Sequence, residues 1–192
     1  MTMPGARTDA PDARTRIVVA GMRCIIREGI AESSMAAIAE EAAVSKALLH
    51  YHFSDRAHLL AAIVTAFGKR ITARERAAIA NGDDTAPVDA LWRWVSNELT
   101  RGELQALLTI GTIHDTPVRN ALAIVSRNRR DAMQQTIDLL FRRMALTARV
   151  PVDVIAEACV VFVDGLALQT REPESARLTF DVFWLAMLGL AE

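Results

Sequence analysis

The sequence predicts an all-α fold of nine helices in two domains, a three-helix N-terminal domain carrying a helix-turn-helix and a larger helical C-terminal domain. Three observations carry this. Apolar residues recur at spacings of three and four along the chain, the period of a helix with one buried face. Val and Ile do not alternate with polar residues, and no Asn-Gly or Asp-Gly pair joins two alternating runs, so strands have no signal. Gly, Pro, Ser and Asp fall between the periodic segments, where they stop one helix and cap the next. With 192 residues, 52% of them hydrophobic, the chain can bury the core of one or two domains.

The first helix is expected over residues 11–28, with Ile17, Ala20, Gly21 and Cys24 on one face and Gly29 as its stop. Ser34 is the N-cap of a short second helix with Met35, Ile38, Ala39 and Ala42 inward, and Ser45 caps a third. After Phe53, Ser54 is the expected cap of a long helix through Leu59, Leu60, Ile63, Phe67 and Ile71 to Asn81, where Gly82 and Asp83-Asp84 break it. At about 1.5 Å per residue such a helix spans about 40 Å, enough to join two functional regions. Pro87 opens a fifth helix with Leu91, Trp92 and Val95, ended by Gly102. A sixth holds Leu104, Leu107, Leu108 and Ile110 and stops near Asp115-Thr116-Pro117. Pro117 starts the long seventh, with Leu122, Val125, Met133, Ile137, Leu140, Phe141 and Met144. Pro151 opens the eighth, to about Thr170, and Ser175 caps the ninth.

Residues 1–12 have no apolar stretch, so they are neither signal nor transit peptide and read as a disordered lead. No window reaches the roughly 20 apolar residues of a membrane span, which predicts a soluble, cytoplasmic protein with no membrane partner. Cys24 and Cys159 are far apart and fit a reducing compartment, as buried small hydrophobes and not a disulfide. The net charge of -1 excludes a generally sticky nucleic-acid binder, so binding to DNA must come from local charge. Residues 1–76 hold 11 Lys/Arg against 8 Asp/Glu, and residues 77–192 hold 11 against 15, so the basic bias lies at the N-terminal end.

The informative stretch is AAVSKALLHYHF, residues 42–53. Two short helices joined by about three residues form a helix-turn-helix and need a third to pack on. Ile38, Ala39, Val44, Leu49 and Phe53 supply that anchor, leaving Ser45, Lys46, Leu48 and Tyr51 outward as a face for DNA. From Ser34 to Leu60 the chain resembles the TetR family of bacterial regulators, through Ser34, Ile38, Ala39, Val44, Ser45, Lys46, Leu49, Tyr51, Phe53, Leu59 and Leu60, with Arg56 where Lys is usual. It departs at Ala43 and Ala47, where the family has Gly, and at His50, where it has an aromatic; if Ala43 must take positive φ, the turn is strained. The chain length and helix count agree with the resemblance.

The resemblance implies a DNA-binding domain at 13–56, an effector-binding and dimerisation domain at 57–192, and a regulator released from a palindromic operator by a small molecule. Ser34, Ser45, Lys46, Ala47, Leu48, His50, Tyr51 and Arg56 are the expected DNA-binding residues. Hydroxyls, His50 and Arg56 suit phosphate oxygens, Lys46 reaches guanine acceptors, and Leu48 either meets a thymine methyl or closes the core. His50, His52 and His58 lie close together, yet no Cys or acidic partner completes a zinc spacing, so no metal and no cofactor are expected.

Helices eight and nine are apolar nearly all round, as in Val160 to Val163 and Val182 to Leu185, which calls for burial on every side. A partner copy would supply it, and the expected homodimer interface is Val160, Val163, Asp164, Ala167, Phe180, Trp184 and Met187. Asp164 in that apolar run needs a partner, across the dimer, at a pocket or in water. Phe67, Trp94, Ile110, His114, Met133, Phe141 and Phe162 are the expected lining of a pocket for a small, mostly apolar effector, each equally able to be plain core. No phosphate loop, nucleophile elbow or carboxylate pair emerges, so an enzyme is not expected. The alternatives are a helical DNA-binding dimer without effector and, more remotely, a helical enzyme.

Overall fold

The computed structural model describes residues 12–81, 87–169 and 173–192. Within them the elements are α1 (Ala13–Glu28), α2 (Met35–Glu41), α3 (Lys46–His52), α4 (Arg56–Ala80), α5 (Pro87–Arg101), α6 (Glu103–Ile110), α7 (Thr116–Arg143), α8 (Val152–Leu168) and α9 (Pro173–Leu188). One isolated antiparallel bridge, Ala148 to Ala191, ties the turn after α7 to the last residues. The expected all-α architecture is the one observed. The lead at residues 1–11, the break at Gly82, Asp83 and Asp84, and the end near Thr170 lie outside the described residues.

Local chemistry fixes the helix starts, with some shifts from expectation. Asp12 caps α1 by accepting from the Thr15 amide at 2.6 Å, and the helix runs from Ala13. Ser34 and Ser45 cap α2 and α3, each accepting an amide hydrogen at 3.1 Å, from Ala37 and Leu48. Asp55, not Ser54, caps α4 through the His58 amide at 2.9 Å, a carboxylate being the better partner for a helix N-terminus. Ser175 lies inside α9, which begins at Pro173, a residue pre-set for the first helical turn.

Ala43 takes a left-handed conformation at φ 52, and Ala145 does the same at φ 54. Both follow a helix end in one pattern. The Ala43 amide donates to Glu40 O and Val44 to Ala39 O, while Ala145 donates to Arg142 O and Leu146 to Phe141 O. Glycine usually occupies this position because its missing Cβ removes the clash.

The helices α1, α2 and α3 pack around Ile17, Cys24, Ile38, Leu49 and Phe53, all buried. Through Leu59, Leu60 and Ile63 this head shares its core with α4, which continues into the body by burying Phe67, Ile71 and Ile79. The most extensive packing joins α4 to α7. Gly68 sets their approach: a Cβ there would sit 2.5 Å from a methyl of Val125 and 3.2 Å from its Cβ. An Arg74 guanidinium donates to Glu98 and Glu103 at 2.7 and 2.6 Å, pinning α4 to α5 and α6 with both carboxylates buried.

Candidate nucleic-acid interface and interior site

On α3 the buried Leu49 and, just after the helix, Phe53 face inward, with Leu48 and His52 half-buried beside them. Lys46, Ala47, His50 and Tyr51 are exposed, Tyr51 to 83%, an unusual degree for an aromatic ring, which meets the His52 ring edge-on at 5.2 Å. Leu48 is half-buried, which leaves both its DNA-contact and core readings standing. Ser34 and Ser45 are exposed at the N-termini of α2 and α3 and use their oxygens as caps, keeping their hydroxyl hydrogens free to donate. The Arg14 guanidinium lies 5.1 Å from the Phe53 ring centre and fastens α1 to the end of α3. Arg23 and Arg27 both pair with Glu41, at 3.0 and 3.2 Å, fixing α2 on α1.

Arg56 is exposed, but its guanidinium donates to the backbone carbonyl of Ile30, so it ties α4 to the turn between α1 and α2. His58 Nδ1 lies 2.9 Å from Asp55 Oδ1 and 3.0 Å from the Ser54 hydroxyl. The His58 amide and ring hold the Asp55 carboxyl below its ordinary range.

The interior of the body differs from the expected pocket. Met133 and Phe162 line one void of about 10 Å³ together with Cys159, Phe183 and Trp184. Phe67, Trp94, Ile110 and Phe141 are buried elsewhere in the core and do not line it, because periodicity marks an inward face without saying which neighbour fills it. His114 is exposed in the turn between α6 and α7, outside the apolar period of either helix. Polar groups that the sequence reading passed over lie in this interior. Glu75, 2% exposed, accepts from the Thr136 hydroxyl at 2.8 Å, and burial pushes its carboxyl up to about 7. Arg129, 7% exposed, donates to both carboxylate oxygens of Asp164, at 3.1 Å to one of them. Asp164 thus finds its partner within the chain. Burial and the Glu75 charge push the Cys159 thiol up to about 12. The indole N–H groups of Trp94 and Trp184 are buried without an acceptor. A signal was present: Ile71-Glu75-Ile79 and Val125-Arg129-Met133 each place one charge on an apolar stripe at spacings of four.

The expected dimer face also needs correction. Val163, Ala167, Phe180 and Trp184 are buried inside the single chain, and Val160, Asp164 and Met187 are half-buried. The outward apolar residues are Val154, Val161 and Leu168 on α8 and Leu178, Val182 and Leu185 on α9, exposed by 56 to 72%. Spacings of seven on α8 and of four and three on α9 put each set on one helix face. Both sides of these helices are apolar, so composition alone did not say which side the body takes.

Residues 17–63, the head and the first turns of α4, match the family described as bacterial regulatory proteins, tetR family. Over 187 residues the chain is 24% identical to the HTH-type transcriptional regulator TtgR of Pseudomonas putida, covering 92% of this chain and 89% of that one. Its fold is similar to that of a TetR transcription regulator from Haloarcula marismortui, with TM-score 0.74, 20% identity and coverage of 92% and 98%. It also resembles a putative transcriptional regulator from Rhodococcus sp. RHA1, with TM-score 0.78, 15% identity and coverage of 92% and 95%. With the exposed face of α3, the matched segment and the fold shared with these structures taken together, residues 17–63 form a DNA-binding head of the tetR family, and the chain resembles TetR transcriptional regulators over most of its length.

Proposed function

We propose that this protein is a repressor that binds a palindromic operator as a homodimer and is released by a small molecule. The observation that carries the reading is the continuity of α4, whose first residue is clasped to Ile30 in the head and whose later turns bury Phe67, Ile71, Glu75 and Ile79 in the body. A tilt of this 25-residue helix moves the head with it. The division is a DNA-binding unit at 13–56 and an effector and dimerisation unit at 57–192.

Ser34, Ser45, His50 and Tyr51 contact phosphates, and Lys46, Ala47 and Leu48 meet base edges in the major groove. Arg56 serves as a clasp that keeps one edge toward the backbone. Two copies join through the exposed apolar faces of α8 and α9, which supplies the burial those faces lack. The heads then reach half-sites about 34 to 36 Å apart, and a ligand favouring another spacing releases DNA by its differential affinity. Selection from random duplexes, followed by footprinting, tests this: two inverted half-sites one helical turn apart are expected, and a single asymmetric site would overturn it. A DNA-binding dimer without effector is the second reading, favoured by an interior void of only about 10 Å³. Operator binding that no small molecule weakens would select it.

A further inference from the structure

The charges along the joint between α1 and α4 do not balance. Arg70 lies 3.3 Å from Glu103, which also accepts from Arg74, and Arg74 in turn holds Glu98. Within this group two arginines and two carboxylates cancel. Arg14 and Lys69 are left over: among the described residues, neither has a carboxylate within ion-pair distance. Asp12 feels the charge of Arg14, but its carboxylate is spent on the Thr15 amide. Arg14 rests against the Phe53 ring, 5.1 Å from its centre, and Lys69 is exposed.

Both cations line one surface groove of about 420 Å³, formed by α1 and α4 alone and within the size range of small-ligand sites. Its floor is apolar, with Val18, Val19 and Met22 from α1 and Ala62 and Ala66 from α4. Thr65, between the two alanines, turns its hydroxyl back to the Ala61 carbonyl at 2.9 Å, so its proton is not offered to the groove. Arg14 stands at the end toward Phe53. Lys69 stands at the other, beside Arg70, whose guanidinium lies 3.8 Å from the Met22 sulfur. Along α1 the two ends, Arg14 and Met22, are about 12 Å apart. No acidic side chain lines this groove, whereas the one between α7 and α8 holds Asp131, Asp153 and Glu157. An apolar floor under unmatched positive charge suits an anion with an apolar tail. A protein partner would need roughly 800 Å² of surface on each side, more than so short a groove presents.

We propose that the groove between α1 and α4 binds an amphiphilic carboxylate with a medium-length alkyl chain. The chain lies along Val18, Val19, Met22, Ala62 and Ala66, and the head group meets the Lys69 ammonium. Lys69 takes this role because Arg14 is held on Phe53 and Arg70 is matched by Glu103. Arg14 adds its field along the groove, over a distance comparable to the range at which salt screens charge. The site shares no lining residue with the interior void and does not depend on the ligand-released reading. Its two walls are the helices that set the head on the body, so an occupant fastens α1 to α4 and stabilises the folded chain by mass action.

Titration of the full-length protein, labelled at its alanine methyls, with octanoate, 1-octanol and octyltrimethylammonium tests this by nuclear magnetic resonance. Octanoate is expected to bind about fivefold more tightly than the alcohol, with the cation weakest, and the preference should shrink as salt is added. The methyl signals of Ala62 and Ala66 should move on binding. Lys69→Gln, at an exposed position, should cut octanoate affinity about threefold and leave 1-octanol as before. Ala66→Phe should fill the groove and abolish binding of both, with circular dichroism confirming that the variant is folded. Equal affinities for octanoate and 1-octanol, an octanoate affinity unchanged in Lys69→Gln, signals that move only at other alanines, or no binding of octanoate would each overturn the site. Because Lys69→Gln removes no contact within the chain, its result stands even if Ala66→Phe does not fold.

Discussion

Arg56, the first residue of α4, donates from its guanidinium to the carbonyl of Ile30 in the turn between α1 and α2. The long helix is thereby joined to the head by a charge-assisted bond in addition to Leu59, Leu60 and Ile63. Arg56→Ala is expected to cost about 1 kcal/mol of stability, less than a buried bond of this type because the side chain is exposed. Operator binding should weaken by a similar factor on every sequence. Denaturant unfolding and a binding-site selection on the variant check both halves; a changed sequence preference would mean that Arg56 reads bases.

Lys46 and Tyr51 should separate by kind of contact. Lys46→Ala is expected to relax the preference at one operator position, by about 1 to 3 kcal/mol against the wrong base. Tyr51→Phe removes only a hydroxyl and should weaken all duplexes alike. If Lys46→Ala changed neither affinity nor preference in a selection experiment, α3 would not be the reading helix.

Two pairs of substitutions test the corrected dimer face. Val161→Asp and Leu185→Asp sit on exposed positions and should give folded, helical monomers with lost operator affinity. Val163→Arg and Trp184→Glu bury a charge inside the chain, where an unpaired charge costs several kcal/mol, and should unfold it or make it insoluble. Light scattering with circular dichroism reads all four. Dimers of normal mass from both exposed variants would refute the interface.

Ala43 and Ala145 bear the left-handed strain that glycine avoids. Ala43→Gly should stabilise the protein by about 1 kcal/mol, the relieved Cβ clash outweighing the added freedom of the unfolded chain. Ala145→Gly should act in the same direction. Thermal unfolding measures each, and a lower melting temperature for both would contradict the account.

Glu75 makes stability fall as pH rises. Its carboxyl is raised from 4.5 to about 7 by burial, so between those values the folded state holds the proton more tightly than the unfolded chain. The contribution is fully present below about pH 4.5 and is lost as pH passes about 7. Glu75→Gln should therefore gain stability over the unmodified protein above pH 7 and show a flatter profile. An identical slope of unfolding free energy against pH in the two proteins would rule this out.

Sequence by itself determined the helices and the exposed face of α3. The caps Ser34 and Ser45, the period of three and four, and the spacing of Val44, Leu49 and Phe53 are local features, and local hydrogen bonding and amphipathicity suffice to place α2, α3 and the exposed Lys46 and Tyr51. What the tertiary structure decided is which apolar faces meet. Gly68 lets α7 approach because Val125 lies opposite it, a pairing invisible to any local pattern. Whether Val161 or Val163 faces outward depends on how α8 is rotated against α7, and both are equally apolar in sequence. Glu75 shows the same division. Its place on an apolar stripe was written in the chain, but its hydrogen-bond donor, Thr136, stands 61 residues away, and only folding could bring the two within 2.8 Å.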